Sequence, residues 1–443
     1  MLMDKQEVKE IIKAAEIDSI RVEFPDLHGI CRSKLVPACR LDETLEEGLN
    51  FAQATYIVDL SNDIAMGGGC GSDGGWSDMT LKPDLNTFAV LPHQPHTARI
   101  IGDTYLGDTP HPVDPRGALK KILNTYDEMG FRAIAASELE FMLFHPDGEN
   151  YNSSPSCVYQ VNPSVDNQGI LRLIQNTCLD LGLEMIYLNH EFFPSQFEVN
   201  WKHTDAMKMA DQSFTFKYVC KELANQHGLH LTFMGRPKDE GGGNGYHVHQ
   251  SLVDIENNNN VFYDPDCEDG ISDIQRYFIG GQLAHAKGMS AFLAPTINSY
   301  KRFVQDSFAP YNIAWGGDNR TTYCRVPDER EGGSRVENRA ACASANPYLV
   351  MAATLAAGLD GIKNKIDPGD RADDDVYHDE SGRYETVPFY LRDAIEELKM
   401  DSAMAEAFSP ELIAAFVALK EKEESRFKTA VTDWEFNEYS YHL

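Results

Sequence analysis

The chain has 443 residues, 42% of them hydrophobic and 24% charged. That is close to the globular average, so collagenous, wholly disordered and membrane-embedded classes are excluded, and the length allows two or three domains. Lys and Arg number 39 against 69 Asp and Glu, a formal charge of −30; contact with nucleic acid or an anionic membrane needs a net cationic surface, so neither is an expected partner.

Residues 1–16 carry helical apolar periodicity broken by Lys and Glu, with no apolar core of a signal peptide. The longest nearly apolar stretch, Tyr348 to Leu359, has 12 residues, short of the roughly 20 that span a bilayer. The nine cysteines (Cys31, Cys39, Cys70, Cys157, Cys178, Cys220, Cys267, Cys324, Cys342) never form a Cys-x-x-Cys pair. Neither a disulfide framework nor a structural zinc site is indicated, and the reading is a reduced, cytoplasmic protein.

Ile20, Val22 and Phe24, then Asp26, His28 and Gly29, predict a strand, a tight turn and a second strand ending near Val36. Met66 to Trp76 holds six glycines in eleven residues and reads as a loop able to approach a ligand or a neighbouring subunit. Prolines between Pro110 and Arg116 precede a helix-like run from Gly117 to Met129, which places a boundary between a small strand-rich domain, residues 1–108, and a large mixed domain, residues 109–443. Asn257 to Asn260 and the acidic Asp367 to Asp375 read as loops.

Four segments carry candidate chemistry. Ala133 to Phe144 alternates as a strand and puts Glu138 and Glu140 on one face, where two carboxylates repel unless a cation lies between them. Glu191 and Glu198 sit among Phe192, Phe193, Pro194 and Phe197, and carboxylates buried among aromatics need partners. Gly241 to Gly245 lead into a strand pointing His247, His249 and Ser251 to one side, suited to metal ligation or phosphate contact, or to the opening of a cupin oxygenase site. Arg302, Arg320, Arg325, Arg335 and Arg339 cluster around Glu337; guanidiniums grip carboxylate and phosphate. Hard oxygen ligands favour Mg²⁺ or Mn²⁺, and metal with arginine favours phosphoryl transfer from a nucleotide, although no P-loop, kinase glycine loop or Rossmann fingerprint is present.

In order along nearly the whole chain, these segments resemble the glutamine synthetase family and its γ-glutamyl-amine ligase branch. Ser137 to Phe141 resembles the Glu-x-Glu strand. Asn189-His190-Glu191 through Gln196-Phe197-Glu198 resembles the His-His-Glu and Gln-x-Glu segment, with Asn189 in place of the first histidine. Gly245 to Leu252 is similar to the Gly-Met-His-x-His-x-Ser-Leu stretch, and Asn298 to Arg302, Asn319-Arg320, Arg325 to Pro327, Glu337 to Arg339 and Asn346 to Leu349 complete the series.

The resemblance implies an α+β chain: a β-grasp-like N-terminal domain, then a glutamine synthetase-type catalytic α/β domain holding ATP, metal and glutamate sites. It implies a homo-oligomer, a dodecamer of two stacked hexamers sharing active sites between neighbours. Glu140, Glu191 and Glu198 would hold one Mg²⁺ or Mn²⁺, and Glu138, His247 and Glu337 the other. His249, Ser251 and Arg325 would contact ATP. Gly243, Asn244, Gly245 and Arg302 would bind glutamate, with Arg302, Arg339 and Arg320 serving catalysis. A catalytically silent relative is disfavoured because all six metal positions are filled.

Three departures bear on the acceptor. Ser307-Phe308-Ala309-Pro310 stands where ammonia-using members have Gly-Tyr-Glu-Ala-Pro; the Asp-Gly-Ser-Ser segment that helps hold ammonium is replaced by the loop from Asp59 to Asp78; and Gly242 stands where an asparagine contacts glutamate. The implied acceptor is therefore a small alkylamine, methylamine first, with Phe308 at its site; a polyamine is second. Ammonia is the third, with Asp63 or Asp306 supplying the base. Tyr377 keeps the place of a modified tyrosine without the Tyr-Asp-Leu-Pro-Pro context of adenylylated members, so that control is not expected.

Overall fold

The computed structural model describes residues 3–72, 75–152, 158–160, 165–166, 168–379 and 381–443; Cys157 lies outside them.

The first sheet comprises β1 (Ser19–Pro25), β2 (Cys31–Pro37), β3 (Leu49–Ala52), β4 (Asp78–Pro83), β5 (Ala89–Val90), β6 (Thr97–Leu106) and β7 (Thr109–Pro110). Its order is β2-β1-β6-β4-β3, with β5 and β7 also on β6. Strand β1 runs parallel to β6 and antiparallel to β2, as the predicted hairpin requires. Ile20, Val22 and Phe24 are buried as expected, but so is Glu23 on the opposite face. Its carboxylate is held by Arg21 at 2.5 Å and by the Tyr218 hydroxyl at 2.7 Å. Thr109 and Pro110 pair with Leu106 and Tyr105, so this sheet reaches Pro110; Pro112 and Pro115 lie beyond its last hairpin.

The second sheet holds β8 (Phe131–Phe144), β9 (Met185–His190), β10 (Gln196–Trp201), β11 (Thr204–Asp205), β12 (His230–Thr232), β13 (Tyr246–Asp254), β14 (Trp315–Gly316), β15 (Cys324–Arg325) and β16 (Val336–Asn338). Its order is β14-β15-β16-β13-β8-β10-β9, with β11 and β12 also on β8. Alternation along β8 decides its two faces. Ala133, Ala135, Ser137, Leu139 and Phe141 are buried, and Ser137 Oγ contacts Met209 Sδ and Ser213 Oγ of the helix Ala206–Gln226. The even-numbered residues, Glu138 and Glu140 among them, therefore face away from that helix.

The apolar run around Tyr348 to Leu359 lies in the helix Pro347–Asn364, which is buried along most of its length. Asn346 caps it and also donates to the Asp26 carbonyl at 2.8 Å, tying the first sheet to the catalytic part. A second tie is ionic: buried Arg116 donates to Asp84 at 2.9 Å, Asp103 at 2.6 Å and Asp211 at 3.0 Å. No helix among the described residues is long and apolar enough to cross a membrane.

Candidate functional site

The register of three strand pairs assembles the site. Glu138 lies opposite His247 on β13, Glu140 opposite Glu198 on β10, and His249 opposite Glu337 on β16. His247 Nδ1 donates to Glu138 Oε2 at 3.2 Å and His249 Nε2 donates to Glu138 Oε1 at 3.1 Å. Arg335 Nε donates to His249 Nδ1 at 3.3 Å, so the two ring nitrogens of His249 have opposite roles. Glu140 Oε2 accepts from the Gly245 amide at 2.8 Å and from Gln196 Nε2 at 3.0 Å.

Glu191 begins the β9–β10 connection. Its position is set by His190, whose Nδ1 donates to the Glu191 carbonyl at 2.6 Å while Asn152 Nδ2 donates to His190 Nε2 at 3.0 Å. Asn189, the substitute for histidine, donates to Glu191 Oε1 at 2.9 Å, and Asn200 donates to Glu198 Oε1 at 2.7 Å. Asn200 lies two residues beyond Glu198 on the same strand face, a spacing that identifies it once the strand is known.

The carboxylates divide electrostatically. Burial, with Glu140 and Glu138 nearby, pushes Glu191 up to about 7. Burial and the charges of Glu138, Glu140 and Glu191 push Glu198 well above the usual carboxylate range. Burial also opposes ionisation of Glu138, but its hydrogen bonds to His247 and His249 outweigh this and hold it well below its ordinary value. At fully buried Glu337 the charges of Arg339, His249 and His247 overcome burial and bring the carboxyl down to about 2.

Mutual repulsion among carboxylates raised in this way is relieved by a cation. Donor atoms of Glu138, Glu198 and His247 lie within 4.8 Å of one another, as do those of Glu138, His249 and Glu337. Oxygen donors with imidazole suit a divalent ion. Gly245 keeps space beside them: a Cβ there would stand 2.9 Å from His247 Nε2, 3.1 Å from Arg302 Nη2 and 3.3 Å from Glu140 Oε1. His249, read from sequence as a nucleotide contact, thus also belongs among the potential ligands around Glu138.

The arginines differ in freedom. Arg302 is buried, and its Nη1 donates to the Ala340 and Ala341 carbonyls at 3.3 and 3.1 Å, leaving Nε unpartnered. Arg339 and Arg325 each donate to Glu337 at 2.5 Å, and Arg325 also holds Asp318. Arg320 is exposed, its carbonyl accepting from Arg339 Nε at 3.1 Å. On the far side of His249 a cavity of about 670 Å³ is lined by Ile186, Tyr187, Ser251 and Arg335 among others, room for a nucleoside.

The residues of the Gly-rich loop are not equally accessible to a substrate. Asn244 is fully enclosed, its Nδ2 donating to the Met234 carbonyl at 2.8 Å and its Oδ1 accepting from Gln196 at 3.3 Å; it braces the Gly-rich loop and presents no surface to a substrate. Nor does an asparagine side chain fit at Gly242, where a Cβ would collide with the Phe193 ring. Gly243 packs on the Arg302 stem and its carbonyl accepts from Gln196 at 3.1 Å.

Phe308, 47% exposed and in the left-handed region at φ 56°, stacks on Phe192 with ring centroids 6.0 Å apart and planes 19° from parallel. Phe192 follows Glu191 directly, so this aromatic wall abuts the carboxylate cluster. Proximity in sequence offered no signal that these two rings meet.

A carboxylate and histidine centre on antiparallel strands, ringed by arginines, suits a divalent cation and an anionic substrate, and residues 112–439 match the family "Glutamine synthetase, catalytic domain". The chain belongs to the glutamine synthetase family. It is 35% identical over 452 residues to a glutamine synthetase of Methanosarcina mazei, covering 98% of this chain and 97% of that one. To one of Thermotoga maritima it is 36% identical over 455 residues, covering 99% and 100%. Among solved structures it is similar to GmaS without ligand, at TM-score 0.88 and 32% identity over 98% of this chain and 99% of the other. A GmaS/ADP complex matches at TM-score 0.88 and 32% identity over 99% of both. The chain is accordingly an ATP-dependent carbon–nitrogen ligase with the mixed α/β fold of that family, acting on glutamate.

Proposed function

We propose that the acceptor is a small alkylamine, methylamine first, making the enzyme a γ-glutamylmethylamide synthetase. The observation that carries this is the Phe192–Phe308 stack; by the family resemblance, Phe308 takes the place of the flap glutamate of ammonia-using members. An ammonium ion has four N–H donors and a full charge, and its deprotonation asks for carboxylates. A phenyl wall instead covers a methyl group while its π-face attracts the cationic head. Both carboxylates that could replace the missing base are engaged: Lys422 holds Asp63 at 2.6 Å and His378 holds Asp306 at 3.1 Å. The structural likeness to GmaS agrees. The relatives named glutamine synthetase keep ammonia as the second reading.

The reaction runs in two steps. An oxygen of the glutamate γ-carboxylate attacks the terminal phosphorus of ATP, and the bond to ADP breaks, leaving a γ-glutamyl phosphate. The neutral amine nitrogen then attacks the γ-carbonyl carbon, phosphate departs with the C–O bond pair, and the proton lost from nitrogen is taken up by the released phosphate. Glu138, His247 and Glu337 would hold one Mg²⁺ or Mn²⁺ and Glu140, Glu191 and Glu198 the other; such ions supply positive charge where phosphoryl transfer develops negative charge. Arg339 and Arg320 add fixed positive charge there, Arg302 grips glutamate beside Gly243 and Gly245, and Ser251, His249 and Arg325 line the nucleotide side. Residues 1–108 form the N-terminal domain of this reading and residues 109–443 the catalytic domain. The family resemblance makes this a cytoplasmic dodecamer of two stacked hexamers, and exposed Trp434, Phe436 and Tyr441 leave apolar surface for a contact between copies. A coupled ADP-release assay with glutamate and ammonia, methylamine, ethylamine and putrescine tests the acceptor; ammonia as the best substrate would replace this reading by glutamine synthetase proper.

A further inference from the structure

The acidic stretch Asp367 to Asp375 leads into a single 3-10 turn, Val376–His378, that is fastened to the walls of the site. The Val376 amide donates to Thr321 Oγ1 at 3.0 Å and its carbonyl accepts from Asn312 Nδ2 at 2.8 Å. His378 is held from the flap, by Gln305 Nε2 at 2.9 Å and by Asp306 at 3.1 Å. Pinned on both sides, the turn directs Tyr377 inward. The residue is 7% exposed, and its ring packs on Tyr311 with centroids 5.6 Å apart.

The Tyr377 hydroxyl is shielded from solvent and has no hydrogen-bond partner among the described residues. The groups acting on it include the Arg339 and Arg302 guanidiniums and Ser307. The guanidiniums have only donors to offer. Ser307 directs its own hydroxyl at the Arg302 and Val304 carbonyls, at 2.9 and 2.6 Å. A buried hydroxyl normally finds an acceptor. A buried phenol proton that meets no hydrogen-bond partner among the described residues, under the influence of two guanidiniums, is a donor set that an anion satisfies.

We infer that the Tyr377 hydroxyl donates a hydrogen bond to the carboxylate substrate gripped by Arg302, and so helps select it. This deepens the proposed glutamate–amine ligase and rests on that reading for the identity of the anion. Because the same turn grips Gln305 and Asp306, the contact also links the flap to the bound acid.

Tyr377→Phe keeps the ring and its packing on Tyr311 and removes only the hydroxyl. Glutamate binding is measured by calorimetry on the full chain with Mg²⁺ and a non-hydrolysable ATP analogue, alongside steady-state rates. Loss of a hydrogen bond to a charged group predicts that Kd and KM for glutamate rise about 10-fold or more. KM for ATP, kcat at saturating glutamate and melting temperature should stay near their wild-type values. Equal glutamate affinity in variant and wild type would overturn the inference, as would an effect confined to KM for ATP. The two failures are separable: a wild type that binds glutamate yet uses no alkylamine overturns the acceptor reading alone, with Tyr377 still judged on Kd, whereas a wild type that binds no glutamate overturns both.

Discussion

Glu138 and His247 face each other across adjacent antiparallel strands, and the His247 Nδ1 proton lies on Glu138 Oε2 at 3.2 Å. Because His249 reaches the other oxygen of the same carboxylate at 3.1 Å, Glu138 is the hub of both donor groups. Glu138→Ala should therefore reduce turnover at least about 100-fold while leaving the melting temperature within a few degrees, since it removes a cation ligand and not a core contact. Glu191→Ala should behave alike. Chelator-treated enzyme should be inactive and recover with Mg²⁺ or Mn²⁺; full activity after chelation would refute the metal assignment.

Arg339 and Glu337 are both buried and joined at 2.5 Å. A guanidinium aimed at charge that develops during phosphoryl transfer contributes more in the transition state than in the ground state. Arg339→Ala should lower kcat by about 100-fold or more with KM for glutamate changed little, the reverse of the split expected for Tyr377→Phe. A raised KM with unchanged kcat would make Arg339 a simple binding group.

The strand carrying Glu138 and Glu140 was legible because alternation survives where one face packs on a helix and the other lines a site. The sequence reading did not identify β9 and β10 as strands: Asn189 to Trp201 is rich in aromatics on both faces, so period-two contrast is lost. Asn200, Asn152 and Gln196 escaped as supports of Glu198, His190 and Glu140, because their partners are distant in sequence or lie on unrecognised strands. Nothing in the sequence shows that the Asn244 side chain points into the loop it braces, bonded to Met234 and Gln196. The Phe192–Phe308 contact, spanning two loops, has no periodicity to betray it.

Arg116 joins Asp84 and Asp103 of the first sheet to Asp211 of the helix Ala206–Gln226. Replacing it by Met strands three carboxylates around an apolar side chain. Removing one partner from such a buried network costs about 3–5 kcal/mol, to be read as a lower denaturation midpoint with unchanged ligand affinities in the protein that remains folded. A midpoint equal to wild type would show that the two sheets are held together elsewhere.

His285 donates to Asp401 at 2.9 Å and to Asp360 at 3.0 Å. Burial opposes its protonation, but the hydrogen bonds to the two aspartates prevail and raise it above the ordinary imidazole value. A raised folded-state value means that the protonated clamp stabilises fully below the unfolded value, near pH 6.5, and that the contribution is lost as pH climbs through the folded value. The melting-temperature gap between wild type and His285→Gln should be larger at pH 6 than at pH 9. A gap that widens with rising pH would contradict this sign.

The acceptor is tested most directly by the ratio of kcat/KM for methylamine to that for ammonia, measured by ADP release at saturating glutamate and ATP. A methyl group covered by Phe308 is worth roughly 1–3 kcal/mol, or about 10- to 200-fold, so the account predicts a ratio of at least about 10 that falls in Phe308→Glu. A ratio at or below one in the wild-type enzyme would contradict it.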